Sequence, residues 1–123
     1  MARILLAEDE EVLRAMLVRA FAGDHSVVAA CDGAEALDKL NEAKGEFDLL
    51  LTDIRMPLMD GIALALAAAR DYPNVTILMM TGFADQRERA HGLEALIHDV
   101  VTKPFSLAQI REAVQGALAS RAA

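Results

Sequence analysis

The chain lacks a second cysteine, a long apolar run and any excess of basic residues. Cys31 stands alone, so no intrachain disulfide can form. A reducing compartment is permitted by that, and Cys31 itself reads as a small buried or half-buried residue. The first apolar run, Ile4-Leu5-Leu6-Ala7, is too short for a secretory signal and meets acids at once. No stretch approaches the ~20 apolar residues of a membrane span. The expected location is the cytoplasm, with no membrane partner. Twelve Lys and Arg face 19 Asp and Glu, a formal net charge of -7. Such a surface repels phosphate backbones and excludes direct nucleic-acid binding as an expectation. No linker, low-complexity tract or short-period repeat interrupts the 123 residues. One domain over 1–123 is expected, with a full core, since 54% of the residues are hydrophobic.

What is present is an alternation of short apolar runs and helical patterns. Residues 3–7 (RILLA), 26–30 (SVVAA), 48–52 (DLLLT), 75–80 (VTILMM) and 97–102 read as strands. Between the first two, residues 11–22 place Leu13, Met16, Leu17, Ala20 and Phe21 on one helical face. Asp32 with Glu35 three positions on predicts a capped helix that turns Leu37 and Leu40 inward. An alanine-rich helix is expected over 62–71, stopped by Tyr72-Pro73. A more polar helix is expected over 84–95. Ser106 should cap a last helix with Leu107, Ile110, Val114 and Leu118 inside. Near-continuous apolar strands joined by helices predict an α/β fold: a doubly wound (βα)5 unit with a five-stranded parallel sheet in the order 2-1-3-4-5.

In such a sheet all strands end at one edge, and sites form where the strand order switches. Glu8, Asp9 and Glu10 follow the first strand. The stretch DLLLTDIRMPLMDG ends the third strand with Asp53 and a proline-bearing loop. Thr81-Gly82 follows the fourth strand and Lys103-Pro104 the fifth. Each alone has an ordinary reading: Asp53 as a loop acid, Thr81 as a turn residue, Lys103 as a surface charge, Glu8 and Asp9 as helix caps. Taken together they point to chemistry. Neighbouring first and third strands bring Glu8, Asp9 and Asp53 close, and like charges so near call for a cation. Hard oxygen donors suit Mg²⁺, with Asp9 and Asp53 as direct ligands and Glu8 through water. Asp53 could attack phosphorus to form an acyl phosphate. Lys103 and Thr81 could hold the phosphoryl oxygens, and Gly82 permits close backbone approach. Pro104 raises the question of a cis peptide that aims the lysine; cis accounts for about 5–6% of X–Pro bonds, so spacing does not fix it.

The segments ILLAEDE, LLTDIRMPLMDG, MMTGFAD and TKPFS together resemble bacterial response-regulator receiver domains of two-component signalling, over about residues 2 to 120. The fold so implied is flavodoxin-like and CheY-like; the switch-point rule is commonly illustrated with this very strand order. The resemblance implies Asp53 as phosphoacceptor, with Asp9, Asp53 and the Arg55 backbone carbonyl on Mg²⁺ and Glu8 in the acidic pocket. It implies Thr81 as the switch hydroxyl and Lys103 as the phosphate-pairing lysine. Met56, Pro57 and Gly61 would form the structural loop before the third helix, with Pro104 after the lysine. The implied partners are a histidine kinase or histidine phosphotransfer protein and a separate downstream target, since no output domain is expected. One departure stands out: Val100 occupies a position where the family often carries Tyr or Phe.

A narrower resemblance, resting on TGFA, is to alphaproteobacterial single-domain receivers of cell-cycle phosphorelays that prime the ClpX–ClpP protease. ClpX is thereby a candidate target. Three classes remain open: a phosphorylation-switched interaction protein, an intermediate phosphate carrier, and a Mg²⁺-dependent aspartyl phosphatase. Arg55 stands where phosphatases of the haloacid-dehalogenase type carry a second acid, so small-molecule turnover is not expected.

Overall fold

The computed structural model describes residues 1–82 and 92–122. Five strands form one parallel sheet in the order β2-β1-β3-β4-β5. They are β1 (Arg3–Ala7), β2 (Ser26–Ala30), β3 (Leu49–Asp53), β4 (Thr76–Thr81) and β5 (Asp99–Thr102). The four helices among the described residues are α1 (Glu11–Phe21), α2 (Gly33–Glu42), α3 (Gly61–Asp71) and α4 (Leu107–Ala122). This is the expected doubly wound α/β architecture.

The runs of leucine make sense once the sheet is covered on both sides. Successive side chains of a strand point to opposite faces. Leu5 and Leu50 therefore enter one apolar layer with Ala36, Leu40 and Leu64, whereas Ile4, Leu6, Leu49 and Leu51 enter the other with Leu17, Phe21, Ile110 and Val114. Complete burial of a leucine contributes about 1.5–3 kcal/mol, and all three leucines of β3 are fully buried. A central strand with two greasy faces cannot alternate with polar residues, hence the continuous run.

Caps fix where the helices begin. The Asp32 side chain accepts the Glu35 N–H at 2.7 Å, and the Glu35 carboxylate accepts the Cys31 N–H at 2.9 Å. Asp60 accepts the Ala63 N–H at 2.9 Å. Ser106 accepts from Gln109 N–H at 3.1 Å, and the Gln109 side chain accepts the Ser106 N–H at 2.7 Å. That last reciprocal pair has the spacing of a capping box, which the sequence reading missed.

Several expectations need correction. β3 is shifted one residue on from the expected 48–52: it leaves out Asp48 and includes Asp53, which pairs with Met80. β5 starts at Asp99 rather than 97, because the Ile97 N–H closes a turn onto the Leu93 carbonyl at 3.0 Å. Cys31 is exposed, since it lies just past the end of an edge strand. Met16 and Leu107 are also substantially exposed, because the sheet covers only part of each apolar stripe. Of the helix expected over 84–95, residues 84–91 lie outside the described residues, and 92–95 are turn and irregular chain rather than helix. No helix among the described residues is long and apolar enough to cross a membrane.

Candidate functional site

The chain leaves β1 toward β2 and later returns to the other side for β3, so a crevice opens past the ends of β1 and β3. Asp53 forms its floor. It is 6% exposed, and its Oδ1 accepts the Ile54 N–H at 2.8 Å. Its Oδ2 accepts from Lys103 Nζ at 2.7 Å. Glu8 is fully buried, and its backbone N–H reaches the Ala30 carbonyl at 3.1 Å, which ties it to the end of β2. Its Oε1 accepts from Lys103 Nζ at 3.0 Å and its Oε2 from the Glu10 N–H at 2.9 Å. One ammonium thus bridges two carboxylates.

The Lys103 main chain is anchored to the end of β4. Its N–H donates to the Thr81 carbonyl at 2.7 Å, and the Lys103–Pro104 peptide is cis. Thr81 itself is buried at the end of β4. The cleft has a volume of about 570 Å³; Glu8, Asp9, Asp53 and Lys103 line it, with Arg55, Gly82 and Pro104 along its wall. Glu8, Asp9 and Asp53 each offer an oxygen, and those atoms lie within 4.8 Å of one another. Every donor in that set is a carboxylate, which is the chemistry a hard divalent cation such as Mg²⁺ takes. The residues present therefore fit the ion.

The electrostatics agree with a site short of positive charge. Burial pushes the Glu8 carboxyl up to about 7, and the Asp53 charge adds to the rise against the pull of the Glu10 amide and Lys103. For Lys103, burial works against the charged form, yet Asp53 and Glu8 outweigh it and the net movement is upward. Lys103 accordingly stays cationic wherever the acids are ionised.

The loop from β3 to α3 is held tightly beneath this crevice. The Gly61 N–H donates to the Ile54 carbonyl at 2.8 Å, and a Cβ at Gly61 would sit 1.9 Å from the Asp53 carbonyl oxygen. Only hydrogen fits there. Met56 is buried, Pro57 is exposed, and Leu58 adopts a left-handed φ of 67°. Gly33 was not singled out from sequence: its N–H donates to the Met59 carbonyl at 3.1 Å, and a Cβ would come within 2.0 Å of that oxygen. Nothing local announces this contact, which joins α2 to a loop 26 positions later. Arg14 was missed as well. Its guanidinium donates to the Glu8 carbonyl at 3.0 Å.

A family model described as the response regulator receiver domain matches residues 4–115. The chain belongs to this family. Response regulator receivers take part in two-component signalling as phosphoacceptors and regulators, and they bind Mg²⁺ through acidic residues. The response regulator receiver protein CpdR of Brucella abortus is 44% identical over 109 residues, spanning 87% of this chain and 88% of that protein. The sensor kinase CckA of the same organism is 32% identical over 115 residues, covering 93% of this receiver but 12% of the kinase. Among solved structures, the response regulator TrrA of Thermotoga maritima, in complex with Mg(2+)-BeF, is 27% identical with a TM-score of 0.84. That match covers 96% of this chain and 100% of the other. In this receiver Val100, paired with Met79 across β4 and β5, is half-buried against the α2–α3 layer, with no aromatic ring in its place.

Proposed function

We propose that Asp53 is the phosphoacceptor of this receiver, and that the donor is a phosphohistidine on a histidine kinase or phosphotransfer protein. The observation that carries this reading is the Asp53 carboxylate at the floor of the cleft, 2.7 Å from an ammonium that is itself shared with Glu8. One Asp53 oxygen attacks phosphorus, the P–N bond to the donor imidazole breaks, and the imidazole leaves and takes up a proton. The product is an acyl phosphate.

Lys103 is prepositioned to follow the negative charge as it moves from carboxylate to phosphoryl oxygen. Asp9 and Asp53, with the Arg55 carbonyl, would hold Mg²⁺, and Glu8 would act through water. When bound, the ion supplies neutralisation of the charge on the phosphoryl oxygens. Thr81 would turn its hydroxyl to a phosphoryl oxygen, and Gly82 would let the main chain close in. The new group brings about -1.5 to -2 charges to the rim.

Within this reading the likeness to CpdR favours an interaction protein switched by phosphorylation in the cytoplasm, with the unfoldase ClpX as candidate target. With Val100 in place of a ring, the readout would start from Thr81 rather than from an aromatic rotamer. Phosphotransfer from a panel of radiolabelled histidine kinases tests the acceptor. Label is expected on the wild type and not on Asp53→Ala; label that persists on Asp53→Ala overturns the assignment. Reverse transfer from phosphorylated Asp53 to a histidine protein would mark a carrier instead. Retention of ClpX by the unphosphorylated protein, and its loss on phosphorylation, tests the target.

A further inference from the structure

We propose that Arg14 is a positioning residue for the exposed metal-binding acid Asp9: it grips the Glu8 and Asp9 carbonyls and so sets the distance of the Asp9 carboxylate from Asp53. The inference rests on the reading of the cleft as a Mg²⁺ site.

The turn between β1 and α1 is an awkward piece of chain. The β1 ladder ends at Ala7, opposite Ala30 and Thr52. Beyond it, the Glu8 and Asp9 carbonyls have left the sheet. The N-cap of α1 is Glu10, which makes no side-chain cap. Two groups hold the turn instead. From inside the cleft, the Glu8 carboxylate takes the Glu10 N–H at 2.9 Å. From outside, Arg14 Nη1 donates to the Glu8 carbonyl at 3.0 Å and to the Asp9 carbonyl at 3.5 Å. Arg14 is half-buried, and its own N–H donates to the Glu10 carbonyl at 2.9 Å, which fixes the base from which the side chain reaches back.

Glu8 would keep its aim without this grip, because Lys103 and the Glu10 amide hold both of its oxygens. Asp9 is different. It is exposed at the mouth of the cleft, so the direction of its carboxylate follows the peptide that carries it. A peptide rotation between Glu8 and Glu10 would move that oxygen away from Asp53. Groups that orient metal ligands from behind typically change metal affinity 10- to 100-fold when removed.

Charge and positioning predict opposite signs here, which makes the idea sharp. Arg14 is a cation beside a cation site. If only its charge mattered, its removal would tighten Mg²⁺ binding. If it positions Asp9, removal loosens binding although a repelling charge has gone.

The test is Mg²⁺ titration of the full chain by calorimetry, on the wild type, Arg14→Met and Arg14→Lys, with the amide spectrum of each recorded in EDTA. Arg14→Lys keeps the charge but offers a single ammonium in place of the guanidinium fork. The expected result is a dissociation constant raised about 10-fold or more in Arg14→Met and by a smaller factor in Arg14→Lys. The Glu8, Asp9 and Glu10 amide signals should shift even in EDTA. Binding that is unchanged or tighter in both folded variants overturns the proposal. If Arg14→Met does not fold, Arg14→Lys decides alone. A wild type that binds no Mg²⁺ sinks the reading of the cleft, and this inference with it. A wild type that binds, beside folded variants whose binding is unaffected, sinks the inference only.

Discussion

Exchange of Glu8 for glutamine isolates the cost of packing a carboxylate into this cleft without a divalent ion. Glu8 is fully buried, and its carboxyl is pushed from 4.5 up to about 7, first by burial and then by the charge of Asp53. The unfolded chain releases the same proton near the ordinary value. Between those two pH values the folded protein holds a proton that the unfolded chain has lost. The contribution of Glu8 to stability is therefore complete below pH 4.5 and falls away as the pH climbs through about 7. At about 1.4 kcal/mol for each pH unit separating the two values, the loss by pH 8.5 is on the order of 3 kcal/mol.

Glutamine does not titrate. Its single amide oxygen cannot accept from both Lys103 and the Glu10 N–H, so Glu8→Gln carries a penalty of its own. That penalty does not vary with pH, because both donors keep their protons throughout the range. The pH-dependent part of the difference between the two proteins is then the Glu8 term alone. Urea unfolding in EDTA from pH 5 to pH 8.5 measures it. The wild type should lose on the order of 1.5 M in midpoint relative to Glu8→Gln, for an m-value of about 2 kcal/mol/M. A difference that stays flat over that range refutes the reasoning. With saturating Mg²⁺ the loss should vanish, since a bound cation favours the ionised acid.

Three further outcomes follow from the same geometry. Lys103→Met strips the ammonium from two carboxylates at once; it should cost about 3 kcal/mol in EDTA, less with Mg²⁺, and slow phosphotransfer to Asp53 severely. Urea curves and label incorporation check both parts. Gly61→Ala drives a methyl into the Asp53 carbonyl, so it should destabilise by about 1–3 kcal/mol and weaken labelling more than the loss of fold explains. Leu58→Gly relieves a left-handed φ at a residue whose side chain is 86% exposed; it should stabilise by about 0.5–1 kcal/mol in a thermal melt, with Mg²⁺ affinity unchanged.

The sheet was legible in the sequence because a strand buried on both faces has one physical solution, an unbroken apolar run. Leu49-Leu50-Leu51 and Ile77-Leu78-Met79-Met80 show it plainly. The site was legible because the strand order, once guessed, dictates which loop residues meet: Glu8, Asp9, Asp53 and Lys103 stand at the rim that the topology names. What stayed hidden depends on contacts between distant segments. Gly33 against Met59, and Arg14 on the Glu8 carbonyl, leave no pattern of period or spacing. Exposure at the edges was hidden too. Cys31, Met16 and Leu107 read as apolar and therefore inward, yet the sheet does not extend far enough to cover them.

Several unfavourable features among the described residues lie at one end of the sheet. The buried acid with the raised carboxyl, the left-handed leucine and the glycine pressed on the Asp53 carbonyl all lie past the C-terminal ends of the strands. The opposite end has strained backbone too, at Lys44 (φ 53°) and Gly45 (φ 72°), but its charges are matched. Asp48 accepts the Arg3 N–H at 2.8 Å and pairs with Arg121 at 3.4 Å, and the Arg3 guanidinium donates to the Glu46 carbonyl at 2.7 Å. Opposed charges at that end meet each other and need no visitor. At the rim, three acids cluster and one ammonium bridges two of them, and the deficit is one that a divalent cation makes good. Local rules are commonly broken where a protein binds its ligands. Here the breakage has a sign, an excess of negative charge around Asp53, and that sign selects the cation the cleft would hold before any phosphoryl group arrives.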